Sequence, residues 1–304
     1  MQSPSSAEHR RHWYILGAGA IGSLFASFFL EAGRPITLIG RRGRQGRGKA
    51  TLRLQRGDSV HRYPLNLQTP DSDGRIDYLL VCTKAGEVEA AVADLAPRLA
   101  KHATVVVLAN GMGYQERLQR RWPAWRFTWG ITTEGAWREA PLAVHHAGSG
   151  ETLLGSPGQA MPGWFADWQS LGIRCRWETE ILTALWRKLA INCAINPLTA
   201  LHQCANGTLL QPPLSLEVAT LCEEITAIAS AEGQAAAVAD LPARVDSVLQ
   251  GTAANRSSML QDVMAGRATE IDFLNGHLVE VALRHGVKAP RNREMLQAVR
   301  ELAR

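Results

Sequence analysis

What this chain lacks narrows its class before any motif is read. No apolar run approaches the roughly 20 residues that a membrane-spanning helix needs, so no membrane partner is expected. Residues 1–12 are polar and hold no secretory h-region, and they read as a disordered tail. A cytoplasmic location is the default expectation. Cysteine occurs only as Cys82, Cys175, Cys193, Cys204 and Cys222, an odd number with no Cys-x-x-Cys. That usage fits reduced, mostly buried thiols and excludes a disulfide framework or a zinc knuckle. His145-His146 is no substitute, because adjacent residues of a strand face opposite sides; no metal site is expected. Acid is missing locally: no Asp or Glu stands between Glu31 and Asp58, while Arg41, Arg42, Arg44, Arg47, Lys49, Arg53 and Arg56 do. Much of the net charge of +5 lies in this run.

What is present starts at residues 13–22. Trp13-Tyr14-Ile15-Leu16 is a short apolar strand, and it runs into Gly17-Ala18-Gly19-Ala20-Ile21-Gly22 and then a helix over residues 23–32. A G-x-G-x-x-G between strand and helix is a dinucleotide fingerprint. Gly17 permits the turn, Gly19 lets backbone approach a pyrophosphate, and Gly22 lets helix and strand pack closely. The helix N-terminus offers free N–H groups to the phosphates. A second strand, residues 35–39, ends in Gly40-Arg41-Arg42, where NAD-specific sites carry an acid. A guanidinium suits a 2′-phosphate and a carboxylate repels one, so the expected cofactor is NADP(H), with Arg41 nearest the strand end. The basic run then follows a phosphate-binding unit that accounts for its charge, and no nucleic acid is expected as partner.

Further apolar runs alternate with helical segments. Tyr78-Leu79-Leu80-Val81-Cys82 ends at Thr83-Lys84, a helix is expected over 87–100, and Thr104-Val105-Val106-Val107-Leu108 ends at Asn110-Gly111-Met112-Gly113. Runs apolar throughout and separated by helices are parallel strands buried on both faces, and ligands bind beyond their carboxyl ends. Residues 127–177 read as further strands completing this domain. From about residue 180 the pattern is helical, over 181–196, 214–232, 241–264 with a break near Gly251, and 269–285. The expected architecture is α/β: a Rossmann-type doubly wound sheet over 1–179, followed by an all-α domain over 180–304.

Two polar clusters mark the helical half. Lys188, Asn192 and Asn196 recur every four residues on one helical face, and Pro197 is expected to stop that helix. A buried ammonium and two amides need partners, while a solvated face would satisfy the same spacing. The second cluster runs from Asn255 through Ser257-Ser258 to Thr269-Glu270-Ile271-Asp272. Thr269 and Asp272 resemble a capping box, with Glu270 at the first helical position; by spacing alone Glu270 reads as a helix-start carboxylate before it reads as a site residue.

Taken in order, these motifs resemble the ketopantoate reductase family. They comprise the glycine loop, Arg41, Thr83-Lys84, Asn110-Gly111-Met112-Gly113, Lys188-Leu189 with Asn192 and Asn196-Pro197-Leu198-Thr199-Ala200, Asn206-Gly207, Ser257-Ser258-Met259 with Gln261-Asp262, and Gly266-Arg267 with Thr269-Glu270-Ile271-Asp272. The resemblance implies NADPH-dependent reduction of 2-dehydropantoate to pantoate, on the way to coenzyme A. It implies that Lys188 is the general acid and that Glu270 supports substrate and lysine. It implies a substrate pocket lined by Asn110, Asn192, Asn196, Asn206, Asn255 and Ser258. Gly17, Ala18, Gly19, Ala20, Ile21, Gly22, Arg41, Lys84 and Asn110 would contact the cofactor. The partner would be a small 2-oxo acid, and the state a monomer or homodimer. Another branched 2-oxo acid, or a non-catalytic NADPH sensor, are the competing readings. Gly86-Glu87 departs from the family pattern by placing an acid near the adenosine phosphates.

Overall fold

In the computed structural model, residues 11–41 and 47–302 are described. The chain forms two compact units: Met1–Ala109 with Gln115–Ile181, and Asn110–Tyr114 with Leu182–Arg304.

The first unit is a mixed sheet flanked by helices. Its strands are β1 (Trp13–Leu16), β2 (Ile36–Ile39), β3 (Gly48–Arg56), β4 (Ser59–Gln68), β5 (Ile76–Val81), β6 (Leu99–Val107), β7 (Arg126–Thr132), β8 (Gly135–Ala140), β9 (Ala143–Gly148), β10 (Glu151–Gly155) and β11 (Arg174–Trp177). They pair in the order β11-β10-β7-β6-β5-β1-β2-β4-β3-β9-β8. The stretch β2-β1-β5-β6-β7 is parallel throughout. The strand order reverses at β1, which lies between β2 and β5, so the carboxyl end of β1 is the switch point where such sheets bind ligands. Helices α1 (Ala20–Glu31), α2 (Ala85–Leu95), α3 (Tyr114–Arg121) and α4 (Phe165–Gln169) complete the first half of the chain. The expected strands of 127–177 are present as β7 to β11.

Helix α1 is buried from Gly22 to Phe29. It packs on β1 and β2 and, further along the sheet, on β3, β8 and β9. Contact on two sides explains a helix apolar nearly all round. Beside it, Trp13 packs edge-on to Trp168 (ring centroids 5.7 Å apart) and donates its indole N–H to buried Asp167 at 3.0 Å. Arg34 at 3.0 Å and Arg11 at 3.4 Å balance that carboxylate. Arg11 and His12 therefore belong to the fold, His12 through Thr37 Oγ1 at 2.9 Å; the rest of the expected tail, residues 1–10, lies outside the described residues.

The basic run departs from the sequence reading. Residues 48–68 form the antiparallel hairpin β3–β4. Arg47 pairs with Asp71, Arg53 with Glu139, and Arg56 with Glu31 at 2.9 and 2.8 Å. These cations thus answer carboxylates distant in sequence. Arg42 and Arg44 lie outside the described residues. Helix α2 also ends earlier than expected: Pro97 lies just past it, and by Leu99 the chain has entered β6.

The second unit is helical: α5 (Ile181–His202), α6 (Leu214–Ala231), α7 (Ala235–Val238), α8 (Leu241–Gly251), α9 (Ser258–Met264), α10 (Asn275–His285) and α11 (Pro290–Leu302). Among the described residues no helix is long and apolar enough to cross a membrane. Two expectations are corrected. First, Pro197 does not stop α5, which continues to His202. Proline removes the N–H that would bond the carbonyl four residues back, here that of Cys193. Buried Asn275 supplies the substitute, its Nδ2 donating to Cys193 O at 3.2 Å and to Asn292 Oδ1 at 3.0 Å. Asn292 in turn donates to Glu224 at 2.9 Å. Second, residues 269–272 form no capping box. Glu270 precedes a single 3-10 turn at Ile271–Phe273, α10 starts only at Asn275, and Asp272 pairs with Arg300.

Asn275→Ala leaves the Cys193 carbonyl buried without a donor and is expected to cost about 1–3 kcal/mol in urea denaturation. In a Pro197→Ala background, where residue 197 regains its N–H, the same change is expected to cost less. Equal losses in both backgrounds would show that Asn275 acts elsewhere.

Candidate active site

The glycine loop lies at the switch point of the first unit. Gly17 has φ +106°, and a Cβ there would lie 2.9 Å from Cys82 O. A Cβ on Gly22 would lie 1.9 Å from Gly17 O. Both glycines are demanded by the protein's own packing. Gly19 is not. Its φ of −82° is open to any residue, and a Cβ there would meet nothing within 4 Å. It stands at the N-terminus of α1, which no side chain caps. A bare position that the fold does not require, at a helix N-terminus, is what a pyrophosphate needs. Ala18 is buried, with its carbonyl held by Arg138 at 3.3 Å, and Ala20 and Ile21 are half-buried. At the end of β5, Thr83 Oγ1 is buried without a hydrogen-bond partner, and Lys84 leads into α2. Arg41 is exposed at the end of β2 and ion-paired with Glu87. These residues fit a dinucleotide.

The second unit gathers most of the other candidates. Gly111 has φ +80°, and a Cβ there would lie 2.4 Å from Phe273 O; Met112 N donates to the same carbonyl at 2.9 Å. This stitch sets residues 110–114 against the turn after Glu270, and Asn110 Nδ2 donates to Glu270 Oε2 at 3.0 Å. Lys188 rides α5 with Asn192 and Asn196. Burial of its ammonium lowers its pKa to about 8, against the opposing pull of the Glu270 charge. A half-desolvated lysine beside a carboxylate is able to hold or release a proton near neutral pH. Of the two readings left open by spacing, the solvated face with an exposed lysine is not the one observed, and Lys188 is half-buried with the Glu270 charge acting on it. Asn192 is half-buried and Asn196 is buried.

Asn206 and Asn255 also meet, Asn206 N donating to Asn255 O at 2.9 Å. Asn206 Nδ2 donates to Thr252 Oγ1 at 2.9 Å, whereas its Oδ1 is buried without a partner. Asn255 and Ser258 are exposed. Ser257, not Ser258, caps α9 by accepting from Leu260 N at 3.1 Å, and Thr199 donates to its hydroxyl at 2.7 Å.

Models of the ketopantoate reductase PanE/ApbA family match residues 13–159, and models of its C-terminal part match 180–303. The chain belongs to the ketopantoate reductase family. A 2-dehydropantoate 2-reductase of Vibrio cholerae is 36% identical over 307 residues, covering 95% of this chain and 96% of the relative. A PanE/ApbA family ketopantoate reductase from Ralstonia eutropha has the same fold, with a TM-score of 0.86 at 26% identity over 96% of this chain and 98% of that one. A D-mandelate dehydrogenase solved with NADH and anilino(oxo)acetate, 23% identical, shares the fold at TM-score 0.86 over 96% of this chain and 98% of that one.

One neighbour of this candidate site escaped the sequence reading. Tyr114 is buried, and burial together with the Glu270 charge pushes its phenol well above the usual range. Its place directly after Asn110-Gly111-Met112-Gly113 was the available signal.

The three glycines separate under substitution. Gly22→Ala is expected to fail to accumulate as folded protein. Gly19→Ala is expected to lose under about 1 kcal/mol of stability yet weaken dinucleotide binding at least roughly tenfold, as read by calorimetric titration. Unchanged binding in Gly19→Ala would remove the pyrophosphate from this loop.

Proposed function

We propose that the chain catalyses the NADPH-dependent reduction of 2-dehydropantoate to pantoate, a step toward coenzyme A, in the cytoplasm. The observation that carries this reading is the joining of Asn110, Glu270 and Lys188 in a chain 36% identical to a 2-dehydropantoate 2-reductase.

The cofactor, when bound, supplies the hydride that reduces the carbonyl carbon. Its pyrophosphate would rest on residues 17–22 and its 2′-phosphate on Arg41, with Lys84 and Asn110 as further contacts. Reduction builds negative charge on the carbonyl oxygen. The Lys188 ammonium stabilises that charge and then gives its proton from Nζ to the oxygen, leaving a neutral amine and a carbinol. A lysine lowered to about 8 gives up its proton more readily than an ordinary one and is still mostly charged at neutral pH. Glu270, steadied by Asn110, keeps the ammonium charged and oriented and accepts a substrate hydroxyl. Asn206 Oδ1, an acceptor with no partner inside the protein, suits a second hydroxyl donor. Asn192, Asn196, Asn255 and Ser258 line the substrate.

NADPH oxidation measured against 2-dehydropantoate and a panel of other branched 2-oxo acids is expected to give the highest kcat/KM for 2-dehydropantoate; a clear preference for another acid would overturn the substrate assignment. Lys188→Ala is expected to lower kcat by about 10²–10⁴ and leave NADPH affinity intact. Turnover within a few-fold of wild type would make Lys188 structural.

The pH profile is a separate check. The reactive form is the ammonium, so kcat should fall as pH rises through about 8. Glu270 raises the lysine pKa, so Glu270→Gln removes that support and should move the alkaline limb to lower pH. A limb that stays in place would separate Glu270 from the acid.

A further inference from the structure

Glu87 has no task in the proposed reaction, yet it holds the residue read as the 2′-phosphate ligand. Arg41 stands two residues past β2, the strand end being fixed by Gly40 N donating to Gln68 O at 2.9 Å. Glu87 stands in the first turn of α2, after β5, with its N–H bonded to Lys84 O at 2.8 Å. β2 and β5 are the two neighbours of β1. The Arg41–Glu87 pair therefore arches across the carboxyl end of the strand that delivers the glycine loop. The side chains remain 59% and 44% exposed, so the pair is open to a ligand and not locked in a core.

A dinucleotide whose pyrophosphate rests on residues 17–22 brings the 2′ position of its adenosine ribose to the end of β2. With NADPH, that position carries a phosphate. The phosphate must draw Arg41 away from Glu87, or share it, and it meets a second anion at close range. With NADH, that position carries a hydroxyl, which has no quarrel with a carboxylate. An amide at 87 would leave Arg41 uncommitted and add no charge.

We propose that Glu87 is a specificity-determining residue for the cofactor: as counter-ion of Arg41 it opposes the 2′-phosphate and narrows the preference for NADPH over NADH. The proposal rests on the reading of Arg41 given above, and its consequence is a cofactor preference set by a pair of residues. Arg41 supplies the attraction, and Glu87 limits it. The attraction and its limit are both electrostatic at an exposed site, so both should weaken with salt.

Calorimetric titration of NADPH and NADH into the wild type, Glu87→Gln, Arg41→Ala and the double variant tests this. Glu87→Gln is expected to tighten NADPH by roughly three- to tenfold at low salt and leave NADH within about twofold. In the Arg41→Ala background the gain for NADPH should shrink, since no guanidinium is released. An NADPH-to-NADH affinity ratio in Glu87→Gln within about twofold of wild type, with Arg41→Ala still weakening NADPH selectively, would overturn the role of Glu87 and leave Arg41 standing. Equal losses for both dinucleotides in Arg41→Ala would overturn the reading of Arg41, and the proposal with it.

Discussion

A carbonyl deprived of its donor governs the helical unit. Pro197 interrupts the hydrogen-bond ladder of α5 in a buried stretch, where an unmet Cys193 carbonyl would be costly. Asn275 meets it, and Asn292 and Glu224 hold Asn275 in turn. With that chain of amides in place, α5 stays helical past Asn196, and Lys188, Asn192 and Asn196 keep one face. The same helix then reaches Thr199, whose hydroxyl ties it to the cap of α9 through Ser257. The polar side chains of the candidate site are thus carried by a helix whose continuity is secured from α10.

The first unit rests on a different economy, that of space. Gly17 and Gly22 are missing side chains because neighbouring backbone already fills the volume; at Gly19 the volume is open. Three identical residues in one motif therefore answer to two requirements, packing and access. Close packing of α1 on its loop also fixes the loop before any ligand arrives, so little ordering remains to be done on binding.

Local features were legible in the sequence. The glycine loop, the all-apolar strands and the spacing from Lys188 to Asn196 are patterns within a few residues, and each produced the element expected. What was not legible depended on partners far along the chain. Arg53 and Arg56 read only as members of a basic run because Glu139 and Glu31 cannot be assigned to them from sequence. Pro197 looked like a helix end because Asn275, the donor that replaces its missing N–H, lies 82 residues from the Cys193 carbonyl. Glu270 looked like a helix-start carboxylate because nothing in its neighbourhood announces Asn110, 160 residues distant. The cap of α9 was not legible either: Ser257 makes it, and its hydroxyl also accepts from Thr199, 58 residues distant.

The stitch between Gly111 and Phe273 bears on how the chain is divided. By their contacts residues 110–114 belong with Leu182–Arg304, although the strand before them and most of the helix after them belong to the sheet. The polypeptide thus passes from one unit to the other three times, at 109–110, 114–115 and 181–182. No single cut separates the units. A fragment ending at residue 181 keeps Asn110 and loses the carbonyl that its loop is moulded on; a fragment beginning at 182 keeps Glu270 and loses the amide that steadies it. The two halves of the chain are distinct in architecture and inseparable in connectivity.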